Sequence, residues 1–270
     1  MIRILGIETS CDETAAAVVA DGTEIVSNIV ASQTDLHAKY GGIFPEAASR
    51  AHIEVIYPVI QEAMESAHMG WDDLDAIAVT RGPGLAGSLL VGVNAAKGIA
   101  LARDLPLLGI NHLEAHLYST WLTEHRDQLE FPILGLIVSG GHSELILMLD
   151  HGVYRRLGRT IDDAAGEAFD KVGRLLGLPY PGGPSIQQAA LNGDPEAFQF
   201  PRAWLEGSLK YSFSFSGVKT AVLRRIQQME QQSTSPPVSD LAASFQAAVV
   251  EVLAKKTALA ANDFDVSSVV

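Results

Sequence analysis

The chain predicts a duplicated α/β fold with a cleft between two halves. Three features carry that prediction. Two strand-rich blocks begin alike, Leu5-Gly6-Ile7 in the first and Leu134-Gly135-Leu136 in the second. A polar loop follows at the same offset in each, Ser10-Cys11-Asp12-Glu13 and then Ser139-Gly140-Gly141-His142. A tight turn comes next in both, Asp21-Gly22 and His151-Gly152, so each block reads strand, polar loop, strand, turn, strand before helices begin.

Taken in order, the first block has short Ile- and Val-rich runs split by polar turns, as strands require. From Ala47 to Ala67 the apolar spacing becomes helical, with Ile53, Ile56, Tyr57 and Ile60 on one stripe. Asp75 to Thr80 reads as a buried strand, followed by the glycine-rich turn RGPGLAGS and a helix over about Ser88 to Ala102. Pro106 to Ile110 is a further strand. Asn111 stands at a helix N-cap position before a helix from His112 to about Glu124. After the second block, a helix is expected over Asp162 to Leu176, with Asp162 as its cap and Glu167 and Lys171 as an i,i+4 pair. PYPGGPS reads as a rigid loop, YSFSFSGVKT as core plus a helix cap, residues 231–238 as an exposed loop, and Ser239 to Ala261 as a long helix.

A duplicated unit with a polar loop after its first strand is the plan of the actin, Hsp70 and sugar-kinase fold (ASKHA), in which the two loops face each other across a nucleotide cleft. The halves are expected at residues 1–130 and 131–270, the second carrying a helical insertion. Asp265 to Val270 reads as a strand entering a sheet with no turn or polar tail after it. Ligand loops sit at the carboxyl ends of such strands, so the second half is expected to be incomplete here. The alternative is a natural C-terminal edge strand.

Composition narrows the class. The chain is 47% hydrophobic and 19% charged, which suits a globular enzyme with a substantial core. Cys11 is the one cysteine, which excludes an internal disulfide and fits a reducing compartment, hence a cytoplasmic protein. The most apolar stretch, Leu85 to Ala102, is interrupted by Ser88, Asn94, Lys97 and three glycines, so it reads as a packed helix and not a membrane span. A net charge of −13 argues against non-specific nucleic-acid binding. A nucleic-acid substrate would need a local basic patch, for which Arg155, Arg156 and Arg159, or Lys219, Arg224 and Arg225, are available, or else a basic partner. Solvated faces are the plainer reading of both clusters.

Several motifs could carry chemistry. Glu8 to Thr14 (ETSCDET) packs small polar groups between two strands, where hydroxyls and backbone N–H groups can cradle phosphate and carboxylates can hold a cation. Val138 to His142 (VSGGH) has two adjacent glycines that let a ligand approach the backbone closely. His112 and His116 stand four apart in NHLEAH, so both imidazoles leave one helix face, as two ligands of one iron or zinc ion would. The pair is not a zinc-protease motif, because Leu113 follows the first histidine where the general-base glutamate should stand. A third ligand is required and none is evident downstream. Asp170 could accept hydrogen bonds from a ribose, and Gly182 and Gly183 offer close backbone contact.

The segments LGIETSCDET, YGGIFPEAASRAH, RGPGLAGSLLVG, NHLEAH, VSGGHSEL, IDDAAGEAFDKVGRLLGLPYPGGP and FSFSGVKT occur in this order over essentially the whole chain. In this the chain resembles the bacterial tRNA threonylcarbamoyladenosine transferase family, once described as a glycoprotein endopeptidase. The resemblance implies transfer of a threonylcarbamoyl group from its adenylate to the exocyclic amine of the adenosine just 3′ of the anticodon, with release of AMP. It implies that His112 and His116 bind a divalent metal, iron or zinc, whose third protein ligand lies beyond residue 270. It implies that Ile137, Val138, Ser139, Gly140 and Gly141 hold the adenylate, with Asp170 and Gly183 at its sugar. Asp12 and Glu13 are candidates for proton handling or tRNA positioning. The implied partners are tRNA, an inactive sister subunit of the same fold and a P-loop ATPase.

Two departures from the family pattern matter. Gln187 stands where the family often has Asp, a weaker, neutral acceptor for a hydroxyl. The family also continues into a glycine- and asparagine-containing loop and an aspartate ligand that these residues lack, so the chain alone is expected to bind adenylate and metal poorly. Two rival classes are a small-molecule kinase of the same fold and a non-catalytic scaffold subunit. The retained histidine pair counts against both.

Overall fold

The computed structural model describes residues 1–124 and 126–270, which form two compact units, Met1–Asp127 and Gln128–Val270.

The first unit is built on a five-stranded sheet. Its strands are β1 (Arg3–Glu8), β2 (Glu13–Ala20), β3 (Glu24–Ser32), β4 (Ala76–Gly82) and β5 (Leu107–Asn111), in the order β3-β2-β1-β4-β5. β1 to β3 form an antiparallel meander, and β4 and β5 join parallel to β1. The Asp21-Gly22 turn has both residues at positive φ, 48° and 73°, the backbone that the primed hairpin turn requires. The α-helices among its described residues are α1 (Thr34–Ala38) and α2 (Pro45–Ser66) after β3, α3 (Ala86–Arg103) after β4 and α4 (His112–Tyr118) after β5. α4 is shorter than the sequence predicts and gives way to a single 3₁₀ turn at Ser119–Leu122.

On α2 the apolar stripe read from the sequence divides, with Ile53 and Tyr57 64% and 69% exposed and Ile60 buried. The buried face is Ala48, His52, Val59, Ile60, Ala63 and Met64. Two apolar faces share the helical period, and periodicity alone does not say which one packs. α3 buries a small-residue stripe of Ser88, Gly92, Ala96 and Ala100 at i,i+4 spacing.

The second unit repeats the plan. β6 (Ile133–Val138), β7 (Ser143–Asp150) and β8 (Val153–Arg159) form the antiparallel meander, and β9 (Ser268–Val269) adds parallel to β6, in the order β8-β7-β6-β9. The two sheets share the strand, polar loop, strand, turn, strand order and the parallel neighbour of the first strand. The chain therefore has the duplicated actin, Hsp70 and sugar-kinase topology. The core of this unit packs Leu134 and Leu145 against α5 (Ala165–Leu175), α6 (Gly182–Ala190), α7 (Ser216–Gln231) and α8 (Val238–Asp263). Phe213, Phe215 and Phe245 are essentially fully buried there, each contributing about 2–3 kcal/mol.

Two further predictions are corrected here. Asp162 does not cap α5, whose N-cap is Ala164. Its carboxylate accepts from the backbone N–H of Phe215 at 2.8 Å and Ser216 at 3.3 Å, and from the hydroxyls of Ser214 and Ser216 at 2.5 and 2.6 Å. It thus caps α7, far along the chain. The Gly182-Gly183 pair lies in the first turn of α6 and not in a loop.

Asp163 has a separate role. Its side chain is 14% exposed and bridges Lys171 Nζ at 2.7 Å and Lys219 Nζ at 2.8 Å, tying α5 to α7. Burial opposes its ionisation, but the hydrogen bonds and charges of the two lysines outweigh this and hold its pKa below the usual aspartate value. The folded pKa is depressed, so the stabilisation is present above the unfolded value of about 3.9 and is lost as pH falls through the folded value. Asp163→Asn is expected to cost about 1–2 kcal/mol at pH 7 and to flatten the fall of Tm between about pH 5 and 3. Thermal unfolding of both proteins across that range checks it.

Candidate functional site

The first unit places the histidine pair at the start of α4. Asn111 caps that helix as predicted, its Oδ1 accepting from Leu113 N at 2.9 Å and Glu114 N at 3.4 Å. The i,i+4 spacing then brings the two rings edge to face, with centroids 4.5 Å apart and Nε2 atoms 3.1 Å apart. Behind the pair, His112 Nδ1 lies 3.3 Å from Glu8 Oε2 and 3.2 Å from Ser10 Oγ.

Glu8 is the anchor of this arrangement. It ends β1 and accepts hydrogen bonds from Thr80 Oγ1 of β4 at 2.5 Å and from the backbone N–H of Ser10. Burial raises its pKa, but hydrogen bonds from His112, Ser10 and Thr80 outweigh that and bring it down to about 2. An ionised carboxylate only accepts, so the ring proton of His112 sits on Nδ1 and the Nε2 lone pair faces His116.

These residues fit a metal. Two nitrogen ligands each about 2.0–2.1 Å from a tetrahedral ion stand about 3.3 Å apart, close to the observed 3.1 Å. A carboxylate behind the first ligand is the usual support for a metal-bound histidine. Among the described residues no group of three or more His, Cys, Asp and Glu side chains converges.

The sequence singled out Asp12 and Glu13, whereas the groups touching the His112 ring are Glu8 and Ser10 of the same loop. Asp12 is half-buried and Glu13 is exposed at the start of β2. The thiol of Cys11 is pushed up to about 12 by burial, then by the carboxylates of Asp12, Glu8 and Glu13.

The second unit builds the other loop. Ser139 closes it: its Oγ accepts from His142 N at 3.0 Å and Gly141 N at 3.3 Å, and its N–H donates to His142 O at 2.8 Å. The N-terminus of α5 is seated against it, with Gly166 N donating to Ser139 O at 3.1 Å and Ala165 N donating to the buried Ser143 Oγ at 2.9 Å. Ile137 is buried, so only its backbone can meet a ligand, whereas Val138, Gly140 and Gly141 are exposed. A Cβ at Gly140 or Gly141 would meet nothing within 4 Å, and neither residue has the left-handed backbone that favours glycine. The fold itself does not require glycine at either position.

Asp170, expected at a sugar, spends Oδ1 on the backbone N–H of Gly182 at 2.7 Å and so caps α6. Gly183 has open space where a Cβ would stand, and Gln187 follows it one turn later on the same exposed side of α6.

Comparison with known proteins follows the same lines. Residues 24–270 match the tRNA N6-adenosine threonylcarbamoyltransferase family. The protein of that name from Thermomicrobium roseum is 56% identical over 289 residues, covering 98% of this chain and 79% of the relative. That from Dehalococcoides mccartyi (strain CBDB1) is 55% identical, covering 99% and 79%. That from Halalkalibacterium halodurans is 53% identical, covering 98% and 76%. Among solved structures, component A of (R)-2-hydroxyglutaryl-CoA dehydratase from Acidaminococcus fermentans superposes with a TM-score of 0.48 at 16% identity, over 97% of this chain and 79% of that one. The match along nearly the whole chain, at more than half identity, makes this chain a member of the tRNA N6-adenosine threonylcarbamoyltransferase family.

Proposed function

We propose that the protein transfers a threonylcarbamoyl group from threonylcarbamoyl-adenylate to N6 of the adenosine 3′ of the anticodon, in tRNAs that read codons beginning with A. The observation that carries this reading is the histidine pair with its Nε2 atoms 3.1 Å apart, with the Glu8 carboxylate 3.3 Å from His112 Nδ1, in a chain of this family. His112 and His116 would hold iron or zinc, which when bound supplies Lewis-acid polarisation of the carbamoyl carbonyl. Glu8 and Ser10 keep the His112 ring in one orientation and one tautomer.

The Ile137–Gly141 segment binds the adenylate through its backbone, and the N-terminus of α5 beside it favours the anionic group. Gly183 and Gln187 meet the ribose, while Asp170 orders α6 beneath them. Asp12 and Glu13 remain the candidates for positioning tRNA or accepting the proton from the amine. A net charge of −13 supports a protein that shares tRNA binding with partners, an inactive sister subunit and a P-loop ATPase, in the cytoplasm. No helix among the described residues is long and apolar enough to cross a membrane.

Gly140→Val tests the adenylate loop. The added side chain meets open space, so Tm is expected to stay within about 1–2 °C. AMP binding, read from the backbone amide shifts of residues 138–142, is expected to weaken about tenfold or more. Shifts clustered elsewhere, or unchanged affinity in the variant, would remove this loop from the proposal.

A further inference from the structure

Among the polar side chains buried inside the first unit, where apolar ones would serve a core, are Ser10, Thr14, Gln33, His37 and His52. Thr14, His37 and His52 are fully buried, Gln33 is 6% exposed, and Ser10 is 3% exposed. Burying such groups is unfavourable unless each is hydrogen-bonded. Four of them form one connected chain. The backbone N–H of Phe44 donates to His37 Nδ1 at 3.3 Å, and His37 Nε2 meets Gln33 Oε1 at 3.2 Å. Gln33 Nε2 then meets His52 Nδ1 at 3.3 Å, with Thr14 Oγ1 on the same nitrogen at 2.7 Å. His52 Nε2 ends the chain on the carbonyl of Cys11 at 3.0 Å.

The direction of every bond follows from its ends. A carbonyl only accepts, so His52 carries its proton on Nε2 and its Nδ1 accepts from Thr14 and from the Gln33 amide. That leaves Gln33 Oε1 to accept from His37 Nε2, and His37 Nδ1 to accept from Phe44 N–H. Both rings are therefore held as the Nε2–H tautomer, an assignment made by the network. A second bond, Gln33 N–H to Asp12 O at 3.0 Å, grips the next residue of the same loop. Cys11 follows Ser10, whose hydroxyl touches His112.

We propose that His52 is a positioning residue: through the Cys11 carbonyl it fixes the Ser10–Glu13 loop that supports His112, and through Gln33 and His37 it ties that loop to the Lys39–Phe44 segment. The effect on catalysis rests on the transfer reaction proposed above, whereas the structural coupling does not. His52→Leu fills the volume and removes its bonds to Thr14, Gln33 and the Cys11 carbonyl. His52→Gln keeps an N–H donor at the reach of Nε2.

Backbone hydrogen exchange reads the coupling directly. His52→Leu is expected to speed exchange at least about tenfold in residues 10–13 and 39–44, with residues 165–190 of the second unit unchanged. His52→Gln is expected to restore most of the protection in residues 10–13. Unchanged exchange in residues 10–13 of His52→Leu overturns the proposal. If that variant does not fold, ¹⁵N-histidine NMR of the unsubstituted protein decides: Nε2–H at both rings supports the relay, and Nδ1–H at either overturns it. In a transfer assay with the chain extended to the length of its relatives, kcat is expected to fall about tenfold in His52→Leu with KM for tRNA within about twofold. Equal kcat overturns the positioning role. An unsubstituted protein that transfers nothing overturns the transfer reading instead, and exchange still decides the relay.

Discussion

Gly166→Ala is expected to separate the Ser139–His142 loop from α5 and to weaken adenylate binding about tenfold or more. A Cβ at Gly166 would stand 2.7 Å from the carbonyl oxygen of Ser139 and 2.8 Å from both Cα and N of Gly140. All three are backbone atoms, so no side chain can swing aside. The helix or the loop has to move, and the Gly166 N–H bond to Ser139 O at 3.1 Å goes with it. Overpacking of this kind costs about 1–3 kcal/mol, or a fall in Tm of roughly 2–12 °C. Gly217→Ala, in the first turn of α7 and outside the proposed site, is the control. Its Cβ meets nothing within 4 Å, and alanine is the better helix former, so Tm is expected to hold or rise. Calorimetry with AMP titration of the two variants separates a defect of the loop from a general loss of stability. Equal AMP affinity in Gly166→Ala and the unsubstituted protein would show that the seat of the loop on α5 is irrelevant to binding.

The double substitution His112→Ala with His116→Ala is expected to reduce transfer by at least about a hundredfold and to abolish zinc uptake measured by equilibrium dialysis. Stability should change little. His116 is exposed, and the loss falls on one partly buried ring and its contacts to Glu8 and Ser10. Glu8→Gln is the finer test of the same arrangement. It keeps the shape but can present an amide N–H to His112 Nδ1, which unsettles the tautomer that points the Nε2 lone pair at His116. Zinc affinity is expected to drop about 10–100-fold in that variant. Unchanged zinc affinity in both variants would separate the histidine pair from metal binding.

How much of this was legible in the sequence depends on distance along the chain. The Asp21-Gly22 turn, the Asn111 cap, the Glu167 to Lys171 pair and the facing of His112 on His116 are local, and residue type with spacing is enough to read them. The duplication was legible because two polar loops occupy the same offset after two similar strands. Asp162 misled because it precedes a helix in sequence yet caps another, whose first residues lie 53 and 54 positions away. The support of His112 was missed for the same reason, since Glu8 is 104 residues distant and only the β1–β4–β5 order brings it close. Asp12 and Glu13 stand out in that loop by residue type, while the carboxylate at the end of β1 reaches the ring. His52 falls on the buried period of α2, four residues after Ala48, but nothing in residue type or spacing names its partners Thr14, Gln33 and Cys11. α2 shows the remaining ambiguity, two apolar faces on one helical period, of which the one with Ile53 and Tyr57 stays open.

The central claim is transfer of a threonylcarbamoyl group to tRNA. The most direct measurement supplies threonylcarbamoyl-adenylate labelled in the threonyl group, unmodified tRNA and the expected partner subunits. It uses a chain extended to the length of its relatives, since this one spans 79% of the Thermomicrobium roseum protein. The account predicts label in the nucleoside 3′ of the anticodon, one AMP released per group transferred, and background label with the His112→Ala, His116→Ala variant. Intact histidines and bound metal with no label in tRNA, or equal label with the variant, would contradict it and leave a scaffold role as the better reading.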